Sequence, residues 1–374
     1  MSELPTLHWG IVGKPPQVHH KTQLTHPATG MISSWFVEDI TRETWPDKRV
    51  NHKVVAIGSS SSQKGQDFAS KFLPSSAPKP TIYGSYDEVY ADSNVDCIYI
   101  GTPHSFHHAN CLAAIRAGKH VLCEKPFTMT LAQTKEVFAA AKEKDVFVME
   151  AMWTRFFPLV RTLQHLVHDE KIIGDVQRTF CDFALGIGDI SALPATSRYR
   201  DVKLGAGSLL DIGIYSLTWG LITLTGGKVG EQAKDPNVVS QQTLSHGVDV
   251  ASSFVLFYED GKQGVLSSTT DVQAITEDWC RIEGSKGTIV VSGSAPSLPT
   301  YFTVKMHGEK GEGKRYDFEN PGRGFYWEAD AVGLDIKAGK KQSDTMPWKE
   351  TERVMGILDG IRKRGGAKFA EDDW

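Results

Sequence analysis

Lys125, in the run Glu124-Lys125-Pro126, and the pair Asp211 and Tyr215 are the residues whose types could carry acid and base chemistry. Asp211 and Tyr215 stand four positions apart in Gly205-Ala206-Gly207-Ser208-Leu209-Leu210-Asp211-Ile212-Gly213-Ile214-Tyr215. A helix puts both on one face, a turn from one another. A phenol alone titrates at about 10, and a neighbouring ammonium favours its charged form, which brings it towards proton transfer at neutral pH. A lysine and a tyrosine so paired suit the oxidation of an alcohol, the phenol oxygen handling the hydroxyl proton while a nicotinamide accepts hydride. The plain alternative is a surface lysine and a helix tyrosine whose hydroxyl meets water.

Hydride chemistry of this kind calls for a dinucleotide site, and its parts are recognisable. Gly10-Ile11-Val12-Gly13 begins a glycine-rich phosphate loop, and Gly30-Met31-Ile32-Ser33 would finish it, leading into a helix. Residues 14–28 stand between, a polar segment with three prolines and three histidines, His19, His20 and His26. Two readings of the segment stay open: a surface loop over the cofactor, or translated unspliced intron. Adjacent histidines in such a loop are more often solvated than metal-bound, so no metal site is expected. After the second strand the chain reads Gly58-Ser59-Ser60-Ser61-Ser62 with Lys64 nearby and no carboxylate to grip a ribose 2′-hydroxyl. Ser59, Ser60 and Lys64 suit a 2′-phosphate, which favours NADP, with NAD the other candidate.

The elements that must position these groups follow from periodicity. Short apolar strands at 7–12, 53–57, 97–100, 120–123 and 146–149 alternate with helical patterns at 31–40, 63–72, 105–117 and 131–143. That rhythm predicts a parallel, doubly wound α/β domain over 1–150, with ligands at the carboxyl ends of the strands. Thr102, Pro103, His104 and His107 follow one strand end, and Glu124 and Lys125 another. From 151 to 374 the pattern changes to strands at 176–185, 238–244, 249–258, 264–268, 279–283, 288–291 and 302–306, read as an open antiparallel sheet. Helical stretches at 208–224, 326–337 and 350–364 make this second domain α+β, the last helix being expected to return towards the first domain. One face of such a sheet needs a cover, and a second subunit is the expected one.

Composition narrows the field. A chain that is 40% hydrophobic, with a net charge of −4, can bury a sizeable core and has no basic block to neutralise nucleic-acid phosphates. No apolar run approaches the length of a membrane span, and the start lacks a leader pattern. The five cysteines are scattered, never spaced as Cys-x-x-Cys, and fit reduced thiols of a cytoplasmic protein.

Three stretches, GTPHSFHHANCLAAIRAGKHVLCEKP, MEAMWTRFFP and GAGSLLDIGIY, resemble the glucose-fructose oxidoreductase and inositol dehydrogenase (Gfo/Idh/MocA) family, in its branch of dimeric dihydrodiol dehydrogenases and NADP-linked D-xylose 1-dehydrogenases. The resemblance implies a Rossmann domain binding NADP, a carboxyl-terminal sheet used in dimerisation, and a small sugar or cyclic diol as substrate. It implies Lys125 as active-site lysine, Tyr215 as general acid and base, and Asp211 in the same pocket. It also implies Trp153, Arg155 and Phe156 along the substrate cleft, and Thr102, Pro103, His104 and His107 on the nicotinamide side. Asp182 is a further candidate for substrate hydrogen bonds. Two departures stand out: the divided glycine loop, and Ser60 where the dihydrodiol branch resembles an arginine. They keep open a dinucleotide-binding regulator, or a pseudoenzyme without cofactor affinity, as the alternative.

Overall fold

The computed structural model describes residues 4–13, 31–274 and 277–374. Gly30, the histidines at 19, 20 and 26, and the rest of the inserted segment lie outside them. The chain forms two compact units, the first comprising Met1–Trp153 with Pro321–Trp348, the second Thr154–Asn320 with Lys349–Trp374.

In the first unit six parallel strands, β1 (Thr6–Val12), β2 (Asn51–Gly58), β3 (Thr81–Tyr83), β4 (Cys97–Ile100), β5 (His120–Glu124) and β6 (Val148–Ala151), lie in the order 3-2-1-4-5-6. The order reverses between β1 and β4, the switch point at which doubly wound sheets open a crevice at their carboxyl ends. β4 is Cys-Ile-Tyr-Ile with every residue buried, as a central strand covered on both faces requires. Helices α1 (Met31–Ile40), α2 (Ser62–Phe72), α4 (His107–Arg116) and α5 (Leu131–Lys144) fill the crossovers at the expected places. Sequence reasoning missed β3 and the short α3 (Tyr86–Ala91). The signal was there: Ser85 and Glu88 form a reciprocal capping box.

The first unit breaks off at Trp153, close to the expected boundary, but takes a later segment, because α8 (Phe325–Lys337) belongs to it and the last helix, α9 (Trp348–Gly365), lies almost wholly in the second. Two buried aspartates explain the return of α8. Asp39, at the end of α1, accepts from the backbone N–H groups of Arg323, Gly324 and Phe325 at 2.9, 2.7 and 3.1 Å, where the amino end of α8 presents unpaired donors. Asp330, on α8, accepts from Trp45 Nε1, Arg49 N, Val50 N and His52 Nε2 at 3.0–3.1 Å. The Trp9 indole donates to His52 Nδ1 at 3.0 Å, so the proton of neutral His52 sits on Nε2 and points at Asp330.

In the second unit eight strands form one sheet in the order 14-13-12-11-7-10-9-8. They are β7 (Val176–Ala184), β8 (Asn237–Ser245), β9 (Val248–Phe257), β10 (Gln263–Thr269), β11 (Asp278–Gly284), β12 (Gly287–Ala295), β13 (Leu298–Met306) and the charged edge strand β14 (Lys314–Asp317). The sheet is mixed where sequence reasoning expected it antiparallel: β10 pairs parallel to β7, from Gln263↔Arg178 to Thr269↔Ala184. A crossover makes this possible, since the chain leaves β7 through α7 (Ile214–Leu224), which packs on β7 and β10, before β8, β9 and β10 meander back. Gly220 lets α7 approach closely, a Cβ there meeting Leu266 at 2.8 Å. The stretch Val202–Leu224 is long and apolar enough to cross a membrane, yet 89% of its apolar window is buried, as a central helix on a sheet must be.

α9 is held within this unit by Glu350, which accepts from Arg155 Nη2 at 2.7 Å and from Gly230 N at 2.9 Å. α6 (Pro158–Gln164), also missed from sequence, starts with proline at its first position, a common helix opening. All five cysteines are free and buried.

The fold analysis makes Asp330 a stability determinant. Replacing it with Ala should lower the unfolding free energy in urea titrations by about 3 kcal/mol, the scale of orphaning several buried donors. Asp344→Ala, at an exposed partner of Lys340, should change it by less than about 0.5 kcal/mol; equal effects would contradict the role given to Asp330.

Candidate active site

The cleft at the carboxyl ends of β1 and β2 is lined by Ile11, Gly13, Ser33, Ile57, Gly58, Ser59, Gly65 and Phe68. Ser33 occupies the slot of the last glycine of the phosphate loop, and its small side chain sits between strands: a Cβ on Gly13 or on Gly101 would collide with its hydroxyl. Close approach of α1 to β1 and β4 therefore depends on two glycines and a serine, with Ile32 of α1 lying 3.3 Å from where a Gly101 Cβ would stand and Met31 opening the helix. Ser33 Oγ and Ser59 Oγ are buried in this cleft without a hydrogen-bond partner among the described residues. Buried hydroxyls are ordinarily satisfied, so two of them lining one cleft beside glycines fit the polar edge of a dinucleotide. Ser60 and Lys64 are exposed beside it, at the amino end of α2, where Ser61 caps the Lys64 N–H. Lys64 Nζ lies 3.5 Å from Ser60 Oγ.

The Glu-Lys-Pro loop leaves β5 under firm restraint. Tyr99 of β4 donates to Glu124 Oε1 at 2.6 Å, and the Lys125 N–H reaches Glu124 Oε2 at 3.3 Å. The Lys125–Pro126 peptide is cis. His107, expected beside the nicotinamide, has another job: it is fully buried, with its ring nitrogens 2.9 Å from Pro126 O and 2.8 Å from Thr102 O. It thus ties the loop after β4 to the loop after β5, and burial lowers its pKa against the pull of these carbonyls. Thr102 is further held by Asn110 Nδ2 at 3.3 Å, and His104, in the turn that follows Pro103, is buried with its ring centroid 5.9 Å from that of His107. Burial pushes the Glu124 carboxyl up to about 7 despite the Tyr99 hydrogen bond and the Lys125 charge. Glu328 of α8 is raised well above the usual range by burial and by Glu124, and neither of its oxygens has a hydrogen-bond partner among the described residues.

In the second unit, the glycine-rich run after residue 204 shapes the approach to Tyr215. Gly207 has φ +149°, and a Cβ there would collide with the Asp249 carboxylate. That carboxylate accepts from Leu209 N at 2.7 Å and from Ser208 and Ser252 Oγ, both at 2.9 Å. Sequence reasoning missed Asp249, which from β9 fixes the start of the helix. Residues Leu209–Gly213 then wind as a π turn before α7 begins at Ile214, a form frequent at functional sites. Asp211 lies in that turn and accepts from Arg198 Nη2 at 2.9 Å, a residue also missed. Tyr215 is buried, its ring 5.9 Å from that of Phe183 on β7.

The expected substrate residues are distributed as follows. Trp153, in the first unit, stacks flat on Phe325 with ring centroids 4.3 Å apart. Arg155 and Phe156, in the second, are each 3% exposed, and Arg155 donates from Nη2 to Glu350 while its Nε has no hydrogen-bond partner among the described residues. Asp182 is corrected by strand alternation: Thr179, Cys181 and Phe183 are the buried positions of β7, so Asp182 points to the opposite face and accepts from Ser267 Oγ at 2.6 Å. Lys125 stands in the first unit, and Asp211 and Tyr215 in the second. Among the described residues, no cluster of three metal-ligating side chains occurs.

The comparisons with known proteins agree with this architecture. Residues 30–152 match the model of an oxidoreductase family with an NAD-binding Rossmann fold, and residues 160–290 that of the GFO/IDH/MocA carboxyl-terminal domain. The chain is 35% identical to a D-xylose 1-dehydrogenase (NADP(+)) of Hypocrea jecorina, over 98% of this chain and 94% of the relative. It is 33% identical to a trans-1,2-dihydrobenzene-1,2-diol dehydrogenase of Sus scrofa, over 98% and 99%. Among solved structures, an aldose-aldose oxidoreductase from Caulobacter crescentus superposes with a TM-score of 0.74 at 22% identity, covering 96% of this chain and 97% of the other. A 3-ketoreductase from Actinomadura kijaniata, in complex with NADP and TDP-benzene, does so with a TM-score of 0.73 at 19% identity over the same shares, likenesses of fold alone.

The raised carboxyl of Glu124 has a pH consequence. Its unfolded form titrates lower, so the stability it contributes is complete below about pH 4.5 and is lost as pH rises through about 7. Between pH 4 and pH 8 the wild type should lose roughly 3 kcal/mol relative to Glu124→Gln in denaturant titrations; a constant difference would contradict the shift.

Proposed function

We propose that this chain, which belongs to the Gfo/Idh/MocA oxidoreductase family, oxidises a hydroxyl group of a small sugar or cyclic diol with NADP as the acceptor. The observation that carries the reading is the restrained Glu124-Lys125-Pro126 loop at the carboxyl end of β5, in the same parallel sheet whose β1 and β2 ends line a cleft with the buried hydroxyls of Ser33 and Ser59. When bound, NADP supplies the hydride acceptor. Gly13, Met31 and Ile32 would hold its pyrophosphate, with Gly30, outside the described residues, expected there from the sequence, and Ser59, Ser60 and Lys64 would hold the 2′-phosphate, no carboxylate standing at that strand end. Thr102, Pro103 and His104, with Glu124 and Lys125, form the rim on the nicotinamide side.

In this reading Tyr215 takes the proton of the substrate hydroxyl as a phenolate and becomes the neutral phenol, and the Lys125 ammonium favours the phenolate form that starts the transfer. Asp211 contributes a fixed carboxylate one turn before Tyr215. The names of the relatives support D-xylose or a trans-dihydrodiol as the substrate type. Trp153, Arg155 and Phe156 are the residues proposed to meet the substrate, the two aromatic side chains with apolar surface and Arg155 with a cation.

The working form in this reading is a cytoplasmic homodimer, without nucleic-acid or membrane partners. An apolar row runs across the face of the large sheet opposite α7, from Val239 through Val255 and Val265 to Phe180, with Val239 59% and Val265 38% exposed. A second copy of the sheet is the cover that such a row calls for.

NADP reduction should be measurable at 340 nm with D-xylose or a trans-dihydrodiol in a polyol panel run with both NADP and NAD. Absence of turnover across the panel would leave the dinucleotide-binding regulator as the better reading. Tyr215→Phe should lower kcat by about 10² or more while leaving NADPH fluorescence binding unchanged. A kcat within a factor of two of wild type would remove Tyr215 from the chemistry.

A further inference from the structure

Between β7 and the π turn the chain carries Ser197-Arg198-Tyr199-Arg200-Asp201, a charged run of half-buried residues. Arg200 is accounted for by the loop itself, donating to Ser191 O at 2.8 Å and Leu193 O at 2.6 Å. Asp201 caps its own 3-10 turn through the Lys203 N–H. Arg198 reaches out of the loop to the candidate catalytic helix. Its Nη2 lies 2.9 Å from Asp211 Oδ1, the two side chains being 24% and 14% exposed, and its guanidinium rests 5.0 Å from the Tyr199 ring.

We propose that Arg198 is a positioning residue, which fixes the Asp211 carboxylate and cancels its charge one turn before Tyr215. The inference rests on the reading of Tyr215 as base given above. A carboxylate one helical turn from a phenol opposes formation of phenolate, because two like charges share a partly dry site. A guanidinium bonded to that carboxylate removes the opposition and holds the side chain in one orientation. Burial works against the Arg198 charge, but Asp211, with Tyr199 adding to it, holds Arg198 above its usual pKa.

The surroundings leave this assignment to Arg198. From β9 the buried Asp249 is committed to Ser208, Leu209 N and Ser252. From β7 the inward Cys181 is a thiol pushed up by burial, and Asp182 lies on the other face with Ser267. β10 offers the Ser268 hydroxyl and no charged side chain. From the loop itself, Tyr199 is held neutral by burial. Arg198 is therefore the cation that the second unit supplies next to Asp211.

The test is the pH dependence of kcat/KM for alcohol oxidation, which rises with pH as the base loses its proton. Arg198→Met should move the inflection about one unit to higher pH and cut kcat/KM at pH 7 about tenfold. Arg198→Lys, which keeps the charge, should leave the inflection near its wild-type position. Asp211→Asn should move it to lower pH, and the double variant should return it to between the two single variants. An inflection unmoved by Asp211→Asn, or by Arg198→Met where that variant folds, overturns the proposal, since a merely structural role changes rates without moving it. Tyr215→Phe separates the two failures: an inflection that survives it means that the base, not the role of Arg198, was misassigned.

Discussion

A carboxylate buried against backbone N–H groups recurs wherever this chain has to hold a distant segment in place. Asp39 and Asp330 seat α8 in the first unit, Asp249 seats the turn that leads into α7 in the second, and Glu350 holds α9 there through Arg155 and Gly230. Burying these groups is unfavourable unless each oxygen finds donors, so every one of them specifies its partner segment rather than merely attracting it. The balance differs with the donors: burial leaves Asp39 and Asp249 raised despite their N–H contacts, whereas the guanidiniums of Arg155 and Arg353 bring Glu350 below its usual range. The reactive groups are then carried on elements whose ends cannot wander.

That constraint explains what was legible in the sequence. Parallel strands buried on both faces and amphipathic helices write their periodicity into the chain, and the first half was readable almost element by element. The Glu-Lys-Pro loop and the Asp-x-x-x-Tyr spacing were readable because residue type and position after a strand carry the chemistry. The misses have physical causes. β3 has three residues, too few to show alternation, and α6 is one short helix between loops. The parallel pairing of β10 with β7 depends on a crossover, which no strand pattern encodes. The assignment of α8 and α9 to units is decided by single aspartates and a glutamate hundreds of residues from their partners.

Site residues divide in the same way. Asp182 was placed on the wrong face because a β-strand alternates its side chains while a motif reader sees only proximity in sequence. His107 carries a residue type associated with catalysis, yet its nitrogens are committed to two carbonyls. Ser33 stands where the loop pattern has its last glycine, and its hydroxyl fits against Gly13 and Gly101, neither of which has room for a Cβ. Arg198 and Asp249 are ordinary residues in sequence, and only their partners, Asp211 and the backbone at Leu209, give them roles.

In the proposed function, the Lys125 ammonium lowers the proton affinity of the Tyr215 phenol. The most direct measurement of this effect is the pH profile of kcat/KM for wild type and Lys125→Met under saturating NADP. The account predicts a wild-type inflection well below the phenol's ordinary value of about 10, and a shift towards it in the variant. Coincident inflections in the two proteins would contradict it.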